Sequence, residues 1–131
     1  MGRFTYEELE AVKWFNGGYT LMTSGLFDEA IEAYTEAIEL DPNVAGFYTM
    51  RGYCYCKVEK YKEALEDFNK AIELDSEAAQ DYTLRGAVFG IIGNSALAME
   101  NVKVAASMGD RKAKEMLRRK RNEWHSLVTK E

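Results

Sequence analysis

The strongest constraint on this chain is a period of 34 residues. Gly18, Gly52 and Gly86 stand 34 apart, as do Ala30, Ala64 and Ala98, and Ala37, Ala71 and Ala105. Large side chains keep the same step: Trp14, Tyr48 and Tyr82; Leu21, Tyr55 and Phe89; Tyr34, Phe68 and Val102; Ile31, Leu65 and Met99; Leu40, Leu74 and Met108. A mixed pattern of small and large residues returning three times in phase marks a repeated supersecondary unit. A unit of that length cannot bury its own apolar face and must stack on its neighbours.

Inside one unit the spacing is helical. Trp14, Gly17-Gly18 and Leu21 fall three and four apart on one helical face, and Ala30, Tyr34, Ala37 and Ile38 do the same in a second helix. Between them, Gly25-Leu26-Phe27-Asp28 reads as a turn in which Asp28 is suited to cap the helix that follows. Pro42, after Leu40-Asp41, stops the second helix. It is the one proline of 131 residues, and no stretch alternates polar and apolar for six positions, so helix is expected throughout. A glycine in mid-helix costs about 1 kcal/mol relative to alanine. Three of them in register point to close helix approach, with Ala30 and Ala37 on the facing helix and aromatics filling the space between.

This pattern resembles the tetratricopeptide repeat family. Trp14-x2-Gly17-Gly18-x2-Leu21, then Ala30-x3-Tyr34-x2-Ala37, then Pro42 reproduces nearly the whole family motif, and Tyr34-Thr35-Glu36-Ala37-Ile38-Glu39-Leu40-Asp41-Pro42-Asn43 is typical of it. Three units are expected at about 11–44, 45–78 and 79–112. Unit two has Ser76 in place of the proline. Unit three departs most, with Ser95 where Phe27 and Tyr61 stand, Val102 for the aromatic and Asp110 for the proline. Thr5-x-x-Glu8 is a capping box that starts the first helix near Tyr6 and runs it to about Thr23. Asp110 is placed to cap a last helix of about 111–128, with Ala113, Met116, Leu117, Trp124 and Leu127 on one apolar face. The resemblance implies a single all-α domain over 1–131, a right-handed superhelical array of seven helices.

Composition excludes several functions. The chain is 47% hydrophobic and 30% charged with a net charge of −5, a poor match for phosphate backbones. No run of 18 apolar residues suggests a membrane span, and the opening Met1-Gly2-Arg3-Phe4-Thr5-Tyr6-Glu7 lacks a signal peptide's apolar core, so a cytoplasmic location is expected. Cys54 and Cys56 point about 200° apart on a helix and cannot pair with each other. One histidine, His125, no Cys-x-x-Cys and no Gly-rich phosphate loop leave no metal site, no cofactor and no enzyme constellation to expect. Glu29, Glu32, Glu36 and Glu39, and Glu63, Glu66, Asp67 and Glu73, read as solvated outer helix faces.

In the family it resembles, the first helix of each unit lines a concave groove that holds a peptide or a partner's helix. The residues that would face it lie between the packing positions. In unit one they are Phe15, Asn16, Tyr19, Met22 and Thr23; in unit two Thr49, Met50, Tyr53, Cys56 and Lys57; in unit three Gln80, Thr83, Leu84 and Ala87. An apolar, aromatic groove of this kind suits protein–protein interaction by an adaptor, scaffold or small chaperone. The competing reading places Phe15, Tyr19 and Tyr53 in the core. Co-chaperones of the family grip acidic C-terminal tails with Lys, Asn and Arg; the matching places here hold Phe15, Tyr19, Met50, Gln80 and Leu84, with no cation among them. Arg51 and Arg85, 34 apart, are expected to join helices.

Two other functions stay open. One is self-association through the chain's ends, driven by Phe4, Tyr6 and Leu9. The other is attachment to an anionic surface by the last helix. Residues 111–131 hold eight basic groups and three acidic ones, a balance of +5 that leaves −10 for residues 1–110. A capping role for this helix over the apolar end of unit three explains its apolar stripe. Its run Arg118-Arg119-Lys120-Arg121 with Trp124 is what an anionic surface would meet.

Overall fold

The structure, a computed structural model, describes residues 2–129, and for Arg121 and residues 123–129 it describes only the backbone. The apolar positions expected at Trp124 and Leu127, and the charges of Arg121 and Lys130, therefore lie outside the described side chains. Among the described residues there are seven α-helices and no strand: α1 (Tyr6–Thr23), α2 (Phe27–Leu40), α3 (Ala45–Lys57), α4 (Tyr61–Leu74), α5 (Ala79–Ile91), α6 (Ser95–Ser107) and α7 (Arg111–Thr129). The chain forms an all-α array of helical repeats. Its contacts divide it into two compact units, Met1–Ser76 with α1 to α4 and Glu77–Glu131 with α5 to α7.

Side-chain caps open three of the helices, α1, α6 and α7. The Thr5 N–H donates to Glu8 Oε2 at 2.8 Å and the Glu8 N–H to Thr5 Oγ1 at 3.0 Å, the reciprocal capping box that opens α1. Asp28 does not cap α2. Leu26 occupies that position with no side-chain hydrogen bond, and Asp28 falls in the first turn, where its charge complements the helix dipole. The Asn94 carboxamide caps α6, accepting from the Leu97 N–H at 3.1 Å. Asp110 caps α7, accepting from the Ala113 N–H at 2.8 Å. The turn before α7 is the short Met108-Gly109-Asp110, with Gly109 at φ 95°, so α7 begins without the four-residue link that precedes α3 and α5.

The turns from α1 to α2, α3 to α4 and α5 to α6 keep the 34-residue register. Each places one residue in left-handed backbone: Gly25 at φ 81°, Glu59 at 61° and Gly93 at 93°. Glu59 is the one non-glycine of the three, and its Cβ makes that conformation costly.

Within each hairpin the helices meet where the register puts its glycines. A Cβ on Gly18 would lie 2.7 Å from the Tyr34 ring, and one on Gly52 would lie 2.8 Å from the Phe68 ring. At Gly86 it would meet the Asn101 Cβ at 3.0 Å and the Ala98 carbonyl at 3.1 Å. Tyr34 and Phe68 are fully buried, as are Ala30, Ala37, Ala64 and Ala71. In the first unit Ala11, Ala37 and Phe47 form one cluster, and Ala30, Tyr34 and Cys54 another. In the second unit Val102, Ala105, Ala106 and Ala113 form the core, with Tyr82 and Leu117 against it. Met116 departs from the expected apolar face of α7: it is 47% exposed, because it sits about 100° around the helix from Leu117 while Ala113 and Leu117, four apart, face inward.

Trp14 also departs from expectation. Its register partner Tyr48 is buried and donates its hydroxyl to the Pro42 carbonyl at 2.8 Å, whereas Trp14 is 43% exposed. Tyr48 sits against the end of the preceding hairpin. Among the described residues no helix precedes α1 to do the same for Trp14.

Arg51 ties three helices together. Its Nε and Nη2 donate to Asp67 Oδ2 and Oδ1 at 2.8 and 2.7 Å, and its Nη1 donates to Thr35 Oγ1 at 3.2 Å. The guanidinium lies 5.9 Å from the Tyr48 ring centre and 5.7 Å from that of Tyr55. Asp67, read from sequence as a solvated charge, is buried. Burial pushes its carboxyl above the usual range, and the Arg51 hydrogen bonds and charge pull against that. Arg85 repeats the arrangement with a neutral partner, donating to Asn101 Oδ1 at 2.8 Å with Tyr82 5.4 Å beneath it.

This packing has three measurable consequences. Ala64→Leu, at a fully buried contact, should cost about 1–3 kcal/mol in chemical denaturation; an unchanged midpoint would contradict the close approach. Glu59→Gly should raise stability by about 1 kcal/mol by relieving the left-handed strain. Arg51→Met should cost about 3–5 kcal/mol, because it strands the buried Asp67 charge, while Arg51→Met with Asp67→Leu should recover most of the loss.

Candidate partner-binding face

The expected groove residues divide by helix geometry into covered and open ones. On α1, Phe15 turns inward: its ring lies 5.6 Å from Tyr34 and 5.1 Å from Phe47, and it packs on both clusters of the first unit. Met22 follows it, half-buried, with its sulfur 3.8 Å from the Tyr34 hydroxyl that donates to it. Asn16, Tyr19 and Thr23 are exposed, Tyr19 by 50%. Val12 and Leu9 are open as well, at 49% and 51%. Val12, Asn16 and Tyr19 stand four and three apart on one face of α1. The 34-residue register does not single out Val12 and Leu9, although the helical spacing from Asn16 does reach Val12.

On α3 the open face is Gly46, Met50, Tyr53 and Lys57, again at helical spacing. Gly46 and Lys57 are exposed and Met50 and Tyr53 are half-buried. The Lys57 ammonium sits 5.4 Å from the centre of the Tyr53 ring, a cation–π contact. Thr49 is covered, with its hydroxyl donating to the Ala45 carbonyl at 3.3 Å. The Phe15–Phe47 stack joins α1 to α3.

In the second unit, Gln80 and Ala87 on α5 are exposed, and Thr83 and Leu84 are half-buried. The Thr83 hydroxyl lies 3.2 Å from the Ala79 carbonyl and 3.3 Å from Asp110 Oδ2, so it links α5 to the cap of α7. Cys54 is buried and Cys56 half-buried. Burial pushes their thiols up to about 12 and about 11, well above neutral pH. Among the described residues no three His, Cys, Asp or Glu side chains gather in a way that would hold a metal ion, and no helix is long and apolar enough to cross a membrane.

The tetratricopeptide repeat pattern matches residues 11–44 and 45–78. Curated proteins give no significant match. Among solved structures, the second TPR of Spaghetti (RPAP3) bound to the HSP90 peptide SRMEEVD is 28% identical, with 75% of this chain and 91% of that chain covered and a TM-score of 0.73. The second TPR domain of human RPAP3, in complex with the HSP70 peptide SGPTIEEVD, is 26% identical over 86% and 96% of the two chains, with a TM-score of 0.80. The Arabidopsis OM64 TPR domain shares the fold at a TM-score of 0.82 and 21% identity, over 86% and 95%. A period of 34, glycines at each helix contact and a pattern match over two consecutive repeats agree: the chain belongs to the tetratricopeptide repeat family.

Proposed function

We propose that this protein is a non-catalytic binding module that holds a peptide or helix of a partner protein against the open faces of α1 and α3. The observation that carries the reading is Tyr19. It is a large aromatic, half exposed on the packed, capped α1, one helical turn from Asn16. Rigid aromatics of this kind supply binding energy with little ordering cost. Asn16 offers both a donor and an acceptor for partner backbone. In the second unit Gln80 and Leu84 extend the same residue types. Burial holds the Cys54 and Cys56 thiols protonated, so neither is poised as a nucleophile.

Neighbours with this fold carry peptides ending in EEVD. The corresponding places here hold Phe15, Tyr19, Met50, Gln80 and Leu84, with no cation to meet a terminal carboxylate. The ligand proposed for this chain is therefore a segment with apolar anchors rather than an acidic tail. Lys57, resting on Tyr53, is the cation on the open face of α3.

The test is affinity capture with quantitative mass spectrometry, followed by titration of the recovered segment. Tyr19→Ala and Tyr53→Ala should each weaken binding by about 2 kcal/mol, roughly thirtyfold in Kd, without moving the melting temperature. Binding should change little between low and high salt. Full retention in the double variant would move the site off these helices. Saturable binding of SRMEEVD would overturn the ligand class.

A further inference from the structure

The repeat register exposes a place in the first hairpin that the second hairpin fills. In the second hairpin Arg51 pairs with Asp67 between Tyr48 and Tyr55. The positions 34 earlier are Gly17, Ala33, Trp14 and Leu21. A Cβ on Gly17 would meet nothing within 4 Å, so no side chain takes the guanidinium's place. What remains is an open slot of about 560 Å³ lined by Trp14, Leu21 and Ala33 and rimmed by Glu29, Glu32 and Glu36. The three glutamates are exposed. This hairpin keeps an aromatic plate and an acidic rim but has no cation of its own at the Arg51 position; Thr35, also at the slot, accepts from Arg51 of the next hairpin at 3.2 Å.

The helix α7 carries the complement. Lys112, Met116 and Arg119 stand four and three apart on one face, away from the inward Ala113 and Leu117. All three are exposed, and Met116 is an apolar spot between two cations. Over residues 111–120 six bases oppose the single acid Glu115, which pairs with Arg118 at 2.6 Å and, at the longer distance of 3.6 Å, with Arg119.

We propose that the slot is an interface for a second copy of this chain, which inserts the Lys112–Met116–Arg119 face of its α7. Met116 packs against the Trp14 indole, the Arg119 guanidinium stacks on it, and the glutamate rim meets Lys112 and Arg119. Charge complementarity selects this occupant: the body, residues 1–110, carries −10 and the segment 111–131 carries +5. The surfaces in contact are different ones, so each contact is heterologous. Exposed charges hold it together, so it is reversible and weakened by salt.

The test uses the full chain in sedimentation equilibrium. At low salt the weight-average mass should rise with concentration above 14.9 kDa, and in ~0.5 M salt, where screening is strong, it should return to that value. One variant carries Glu29→Lys, Glu32→Lys and Glu36→Lys; another carries Lys112→Glu and Arg119→Glu. Each alone should stay monomeric. Mixed, the first still offers its α7 and the second its slot, so they should form a 1:1 complex that grows no further. Trp14→Ala and Arg119→Gln, made as two separate variants and mixed, give the same reading without charge reversal if either charge-reversed variant fails to fold by circular dichroism. A wild-type chain that stays monomeric at every concentration, variants that associate like wild type, or a mixture that stays monomeric would each overturn the proposal. So would a monomer whose α7 instead retains it on phosphatidylserine vesicles.

Discussion

Everything in this structure depends on how closely the two helices of each hairpin approach. Gly18 and Gly52 lie so near the rings of Tyr34 and Phe68 that a methyl group would collide with them. The buried aromatic is the filler and the glycine is the space it needs. Because both recur every 34 residues, helix spacing is set identically in the first two hairpins. The third keeps the glycine but meets it with Asn101 and the Ala98 backbone. Its large residue has shrunk to Val102, and the polar Asn101 ties Arg85 to the helix by donating to the Leu97 carbonyl at 2.8 Å.

That packing decides which side chains are left for partners. With Ala11, Phe15, Gly18 and Met22 committed to the interior of the first unit, α1 has its opposite side free, and Val12, Asn16 and Tyr19 fall there. The same logic frees Gly46 and Lys57 on α3 and leaves Tyr53 half open, while Met50 packs in part on the Ala30, Tyr34 and Cys54 cluster. The face proposed for binding is thus a by-product of core packing: a helix pinned by its small residues presents a rigid stripe that would lose little entropy when a ligand arrives. Arg51 adds rigidity of a different kind. Its bond to Thr35 crosses from one hairpin to the next, and its bidentate grip on Asp67 fixes the angle within its own.

Much is legible from residue order because local rules govern it. Thr5 and Glu8 mark the start of α1 and Asp110 the start of α7, since a cap acts over three residues and needs no distant partner. Gly18, Ala30, Ala37 and their repeats mark the helix contacts by size alone, since a close approach leaves no room for a larger side chain. Asp28 shows the limit even of local reasoning: a residue of the right type two positions late becomes a first-turn anion instead of a cap.

What residue order alone determined, then, is the repeat, the helix count and the hairpin contacts, because these follow from period and steric size. What only the tertiary structure decided is which of several equally placed apolar residues is covered. Phe15 and Tyr19 are neighbours on one helix and similar in chemistry, yet Phe15 stacks on Phe47 of the next hairpin while Tyr19 faces outward. Trp14 and Tyr48 share a register position, yet only Tyr48 has a hairpin end to lean on. Helical periodicity gives a side chain's direction around its own axis. Whether another helix stands in that direction is a property of the assembled array, and so is the line between core and binding surface.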